Sequence, residues 1–438
     1  MKMQYFSLNN NAKAVGFEKA VRFGLAPDRG LYFPQQIDGL SDSFWDNFLQ
    51  MSHHEIALHA IEQFVGGEIP NDELQKIVED TLCFDFPIVE LSQNITTLEL
   101  FHGPTMAFKD VGGRFMARCL GYFNQNSDEK ITVLVATSGD TGGAVASGFL
   151  GIPGVEVVIL YPKGKVSHIQ ELQLTTQGQN ITAIEVDGVF DDCQEMVKTA
   201  FLDETLKPHR NLTSANSINV ARWLPQSFYY FFAVQELIKR KVKNPIVFSV
   251  PSGNFGNICA GFIAKELGLP VSHFIASTNQ NNTFPRYMES GIYDPQPSVQ
   301  TISNAMDVGN PSNFDRINKL FNQDLYRLKN VCSSYYFSDK ETHKAMQEIY
   351  ENFSYVADPH GAIGYLGLQK YFENNPDYYG VFLETAHPVK FLDVVEKAIK
   401  TKVNIPPQIE EILDRVPEKT PISSYRELKE YLIDNAVK

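Results

Sequence analysis

Residues 131–161, ITVLVATSGDTGGAVASGFLGIPGVEVVILY, decide the fold. ITVLVA (131–136) is β-branched and bounded by polar residues, the composition of a buried strand. A glycine-rich turn follows, then a helical run of small residues (143–149), then a second apolar strand, VEVVILY (155–161). The alternation continues with a helix-like segment at 166–177, the strand TAIEV (182–186) and a helix at 191–206. The longest helix expected spans 219–241, with Pro225 in its second turn placed to kink it. IVFSV (246–250), FIAST (274–278) and VFLET (381–385) read as further central strands. Repeated strand–helix–strand units predict an α/β protein with mostly parallel sheets and helices on both faces. The first 85 or so residues carry amphipathic stretches such as 44–64. The tail from Thr401 reads as a helical appendage: SSYRELKEYLIDN opens on a serine cap, and Leu428, Tyr431 and Leu432 share a face.

With 438 residues the chain is long enough for two or three domains and a cleft between them. Its net charge of −14 gives no overall attraction for polyanions, which argues against nucleic-acid and anionic-membrane partners. No apolar run reaches the roughly 18 residues of a membrane span. The first ten residues, MKMQYFSLNN, lack the apolar core of a signal peptide. The five cysteines, at 83, 119, 193, 259 and 332, include no CxxC pair, so neither a disulfide framework nor a zinc ribbon is expected. Together these features predict a soluble protein of a reducing compartment, the cytoplasm.

In parallel sheets ligands bind beyond the carboxyl ends of the strands, so the loops there are where chemistry is sought. The loop Thr137–Gly143 offers glycines for close approach and the hydroxyls of Ser138 and Thr141 for a carboxylate or phosphate. Its plain structural alternative is a tight turn with Asp140 or Thr141 capping the helix. Ser252-Gly253-Asn254-Phe255-Gly256-Asn257, after IVFSV, aims several backbone N–H groups and a helix dipole at one point, a phosphate cradle. The alternative is a turn with Asn254 or Asn257 in the left-handed conformation. Thr385, at the end of VFLET, either faces the cleft or caps a helix that has Pro388 at its first position.

Two segments add charge. Lys109 lies in the apolar run FHGPTMAFKD, where desolvation would make it a good amine nucleophile; otherwise it is a solvated lysine in a first helical turn. Asn216, Ser217 and Arg222 begin a helix, where a guanidinium fork suits a phosphate; otherwise Ser217 is a cap and Arg222 solvated. The cluster His53-His54-Glu55-Ile56-Ala57-Leu58-His59 lacks the i, i+4 histidine spacing of a zinc helix, so no metal is expected.

PTMAFKD, TSGDTGG, NSINVAR, SGNFGN and ETAHP, in that order, resemble the threonine synthases of the fold-type-II pyridoxal-phosphate family, in their longer bacterial and fungal form. The likeness runs from NNNAKAVGFEKAVRFGLAPDRGLYFP through SNAMDVGNPSNFDR to TAHPVKF, nearly the whole chain. It implies an N-terminal domain (1–85), a large cofactor domain (86–125 and 221–400), a small closing domain (126–220) and a C-terminal helical extension (401–438). By this resemblance Lys109 is the Schiff-base lysine, and Gly253, Asn254, Phe255, Gly256 and Asn257 bind the phosphate of pyridoxal 5'-phosphate. Thr385 faces the pyridine nitrogen. Ser138 and Thr141 hold the substrate carboxylate, while Asn216, Ser217 and Arg222 hold the phosphate of O-phospho-L-homoserine. Asp140 stands where sister families such as cysteine synthase carry Asn toward the cofactor 3'-oxygen; an Asp there accepts where Asn donates. The implied reaction is O-phospho-L-homoserine plus water giving L-threonine plus phosphate, by a monomer. Competing readings are a serine/threonine dehydratase or a phospholyase of the same fold, and a non-catalytic binder of phosphoryl ligands.

Overall fold

The computed structural model describes residues 2–127 and 129–435. Its strands are β1 (Tyr5–Ser7), β2 (Tyr32–Pro34), β3 (Ile88–Ser92), β4 (Ile95–Glu99), β5 (Ile131–Ala136), β6 (Val155–Pro162), β7 (Ile181–Val186), β8 (Asn211–Ser214), β9 (Ile246–Pro251), β10 (His273–Thr278), β11 (Cys332–Tyr336), β12 (Tyr379–Glu384) and β13 (Thr420–Ile422). One sheet has the order β11-β10-β9-β12-β4-β3, parallel except for the antiparallel β3–β4 pair at its edge. The second, β13-β7-β6-β5-β8, is parallel throughout. Strands β5, β9, β10 and β12 are buried along their whole length, which is why they read as unbroken apolar runs and not as alternating ones.

An N-terminal unit pairs β1 with β2 antiparallel. Its helices Phe17–Phe23 and Asn71–Thr81 pack on helix Lys109–Asn124, and helix His53–Val65 packs on helix Phe228–Lys239. The apolar stretch at 44–64 is divided between two helices, Asp42–Asn47 and His53–Val65, each opened by a serine cap, Ser41 and Ser52.

The segment 219–241 is not one long helix. Pro225 converts the second turn to a 3-10 turn, Leu224–Ser227, between helices Val220–Trp223 and Phe228–Lys239, because its ring removes a donor and crowds the preceding turn. Helix Lys109–Asn124, at 16 residues, is longer than either piece. The helix expected at 191–206 is Phe190–Leu202.

The C-terminal tail is not purely helical. Between helices Pro407–Leu413 and Tyr425–Asp434, strand β13 adds to the second sheet beside β7. Lys419 pairs with Glu171 (2.7 Å) and Glu185 (2.6 Å), and Arg210 donates to the carbonyls of Leu432 (2.7 Å) and Asn435 (2.6 Å). A three-residue strand with Pro421 at its centre carries almost no alternation, so its pattern was invisible in the sequence.

Candidate active site

Strands β5, β8, β9 and β12 end around one cavity, and the start of helix Lys109–Asn124 closes its wall. Lys109, Ser138, Asp140, Thr141, Asn216, Ser217, Arg222, Gly253, Asn254, Phe255, Gly256, Asn257 and Thr385 all line it. Segments separated by up to about 280 residues therefore meet in space.

At each loop a neighbouring residue performs the local structural task, which releases the candidate side chain. Thr137 Oγ1 accepts from the backbone N–H of Gly139 (2.9 Å) and Gly142 (2.8 Å), so neither Asp140 nor Thr141 caps the helix. Gly139 is required here: its φ is +131°, and a Cβ would lie 2.4 Å from the Gln170 side chain. Asn219, not Ser217, caps the next helix by accepting from Ala221 N–H at 3.0 Å. His387 Nδ1, not Thr385, accepts from Val389 N–H at 3.0 Å ahead of Pro388. In the cradle, Phe255 adopts the left-handed conformation (φ +61°), and Asn254 and Asn257 do not.

The cradle presents donors that have no partner. The first backbone bond of helix Gly256–Glu266 runs from Cys259 N–H to Phe255 O, leaving the earlier amides of that turn without a helical acceptor. Asn257 Oδ1 accepts from Tyr229 (2.6 Å) and Tyr230 (2.7 Å), which fixes the amide so that Nδ2 is a buried donor with no partner. Asn254 Oδ1 accepts from Ser312 N–H and Oγ (both 3.2 Å), tying the cradle to the segment 303–313. A Cβ on Gly253 would lie 2.8 Å from Met306 Cα, so that segment packs directly on its backbone.

A second donor without a partner lies on another element. Arg222 is buried; its Nη1 donates to Ala215 O at 2.6 Å, and its Nε has no partner. Burial lowers the guanidinium to about 10, with Asp110 opposing. Lys109 forms no hydrogen bond among the described residues, and burial lowers its amine to about 8; Asp140 opposes this, while Lys390 and Arg222 add to it. For Asp140 burial disfavours ionisation, yet the ammonium groups of Lys390 and Lys109 hold it below the ordinary carboxylate range.

Residues 87–377 match the family described as pyridoxal-phosphate dependent enzyme, residues 4–82 the threonine synthase N terminus and residues 361–431 the threonine synthase C-terminal region. The chain is 43% identical to the threonine synthase of Escherichia coli over 94% of its length and 95% of that protein's. The crystal structure of threonine synthase from Escherichia coli superposes with a TM-score of 0.92 at 41% identity, covering 99% of this chain and 100% of that one. The pyridoxal-phosphate-bound enzyme of Brucella melitensis gives 0.92 at 33% identity, with complete coverage of both chains. The chain belongs to the threonine synthase family. It is a pyridoxal-phosphate-dependent enzyme of fold type II.

The residues present fit that cofactor. A phosphate needs the free amides and the unpartnered Asn257 Nδ2, and an aldehyde needs the unbonded, desolvated amine of Lys109.

Sequence reasoning passed over residues both in the cavity and behind its wall. His360 lines it with Nε2 buried and unpartnered, while its Nδ1 bonds to Asp358, the residue that caps its helix. The signal was Asp358-Pro359-His360, a cap followed by a first-turn proline. Tyr229 and Tyr230 lie in the run FYYFF, which gives no sign of a polar task. Lys390, buried behind Asp140, sits in the apolar run HPVKF, the same signal that singled out Lys109. The histidines at 53–59 are engaged elsewhere: His53 stacks on Phe232, His54 faces Leu82 O at 3.2 Å and His59 lies 3.4 Å from Glu62.

Proposed function

We propose that the chain converts O-phospho-L-homoserine and water into L-threonine and phosphate, as a carbon–oxygen lyase acting on phosphate in the last step of threonine biosynthesis. One observation carries the choice of substrate: two anion receptors on different elements, the Gly253–Asn257 cradle and Arg222, each with a buried donor that has no partner, line the same cavity as Lys109. One receptor suits the cofactor's phosphate and the other a phosphorylated substrate, a need that a plain dehydratase lacks. We also infer that the enzyme works as a monomer in the cytoplasm. No helix among the described residues is long and apolar enough to cross a membrane.

Pyridoxal phosphate supplies the electron sink that makes the substrate's carbon-bound protons acidic. Lys109, with its amine lowered to about 8, holds the cofactor and, once displaced, moves protons at the substrate's α- and β-carbons near neutral pH. Gly253, Asn254, Phe255, Gly256 and Asn257 would hold the cofactor phosphate, and Asp140 would take part in binding the cofactor. Thr385 would offer the pyridine nitrogen a neutral hydroxyl, which would leave the ring less fully protonated than a carboxylate would. Ser138 and Thr141 orient the substrate carboxylate. Asn216, Ser217 and Arg222 hold the substrate phosphate, and Arg222 neutralises the charge that develops on the departing oxygen. The unit spanning 126–220 closes over the site and excludes water until the addition step.

The test is product analysis on the purified enzyme with O-phospho-L-homoserine. Threonine and phosphate should form in equal amounts, and borohydride should fix the cofactor on the peptide carrying Lys109. A 2-oxo acid in place of threonine would mean a dehydratase or phospholyase. Absence of bound cofactor would leave only a phosphoryl-ligand binder.

A further inference from the structure

Lys390 is a buried ammonium in a site that already holds two other cations, Lys109 and Arg222. It lies on the turn Pro388–Phe391 just after Thr385, and its Nζ is 2.6 Å from Asp140 Oδ1 and 2.9 Å from Thr105 O. Asp140 Oδ1 also accepts from Gln170 Nε2 at 2.9 Å. One carboxylate oxygen is thus doubly engaged, while Oδ2 has no partner among the described residues and Asp140 lines the cavity beside Lys109. Lys390 itself does not reach the cavity.

We propose that Lys390 is a positioning residue: it pins Asp140 through one oxygen and cancels that carboxylate's charge, so that the amine of Lys109 meets a balanced pair and not a free anion. A buried carboxylate without a cation would draw a proton onto the neighbouring amine. The ammonium supplied from the turn after Thr385 prevents this without occupying the space where the substrate binds. The other charges facing Lys109 come from Arg222, and Asp110 on the same helix answers Arg222 and Lys390 in turn. The pair also joins the large sheet's loop to helix Asp140–Phe149, so a purely structural role is the alternative to be separated.

This inference rests on the reading of Lys109 as the cofactor's lysine. The experiment is a pH titration of the cofactor's visible spectrum in the wild type, Lys390→Met, Asp140→Asn, the double variant and Lys390→Arg. Losing Lys390 should raise the spectral midpoint by about one to two pH units, and losing Asp140 should lower it. The double variant should return to within about half a unit of wild type, and Lys390→Arg should stay near it. An unmoved midpoint in Lys390→Met, or equal effects of the single and double variants, would overturn the proposal. If Lys390→Met does not fold, recovery of folded, cofactor-loaded protein in the double variant supports charge cancellation, and failure of both refutes it. If even the wild type holds no cofactor on Lys109, the functional reading has failed separately. The amine midpoint then comes from competitive acylation of Lys109 in the full chain, with the same ordering of variants required.

Discussion

Arg222 is where the proposed substrate is most exposed to test. Its guanidinium is buried, Nη1 is committed to Ala215 O at 2.6 Å, and Nε has no partner. Two N–H groups, on Nε and Nη2, therefore remain to meet a phosphate as a fork. Charge-assisted bonds contribute about 1.5–3 kcal/mol each, so losing both costs about 3–6 kcal/mol of transition-state stabilisation. At roughly 1.4 kcal/mol per decade this is about a hundred- to ten-thousand-fold in kcat/KM. Arg222→Gln is the better variant, because an amide can still donate to Ala215 O where alanine would leave that carbonyl buried and unpaired. Arg222→Lys should recover only part of the loss, since a point charge lacks the fork. Steady-state phosphate release from O-phospho-L-homoserine measures the effect, alongside the thermal midpoint and cofactor content, both of which should remain near wild type in Arg222→Gln. Near-normal kcat/KM would refute the assignment of the substrate phosphate to Arg222. Loss of cofactor with normal folding would show that the two phosphate receptors had been exchanged.

The amine of Lys109 gives a pH prediction: its proton affinity is lowered from the ordinary 10.5 to about 8. Reconstitution of the cofactor-free chain with pyridoxal phosphate should therefore quicken about tenfold per pH unit below about 8 and level off above it; a rise continuing toward 10 would mean a solvated lysine. Between about 8 and 10.5 the unfolded chain binds more protons at this site than the folded one, so the site's contribution to stability should rise with pH across that window. Thr385→Asp should place a carboxylate at the pyridine nitrogen, shift the cofactor's absorption and change the product ratio while leaving the thermal midpoint within a few degrees. An unchanged spectrum and product ratio would place Thr385 away from the ring.

Much of the fold was legible because it is written in local pattern. Strands β5, β9, β10 and β12, and β6 apart from Glu156, are buried on both faces, so each appears as an apolar run of the right length, and the glycine-rich loops beyond them mark where backbone and ligand come close. The order of five motifs pointed to the family and, by that resemblance, to Lys109 as the candidate for the cofactor's lysine. Local pattern could not show which of two neighbouring residues caps a helix and which faces the cavity. Thr137, Asn219 and His387 take the capping bonds because the loops are already folded around them, and that leaves Asp140, Ser217 and Thr385 with no capping task. Nor could it show that Lys390 lies against Asp140, 250 residues away in the chain, or that Tyr229 and Tyr230 orient Asn257. Strand β13 depends on a neighbour in the same way: three residues around a proline become a strand only when the open edge of β7 supplies hydrogen bonds. Residue type and spacing determine which groups are available, because they act over one or two turns. Which of those groups are buried together, charged and left without a partner is decided by packing between segments distant in sequence, and that packing forms the active site.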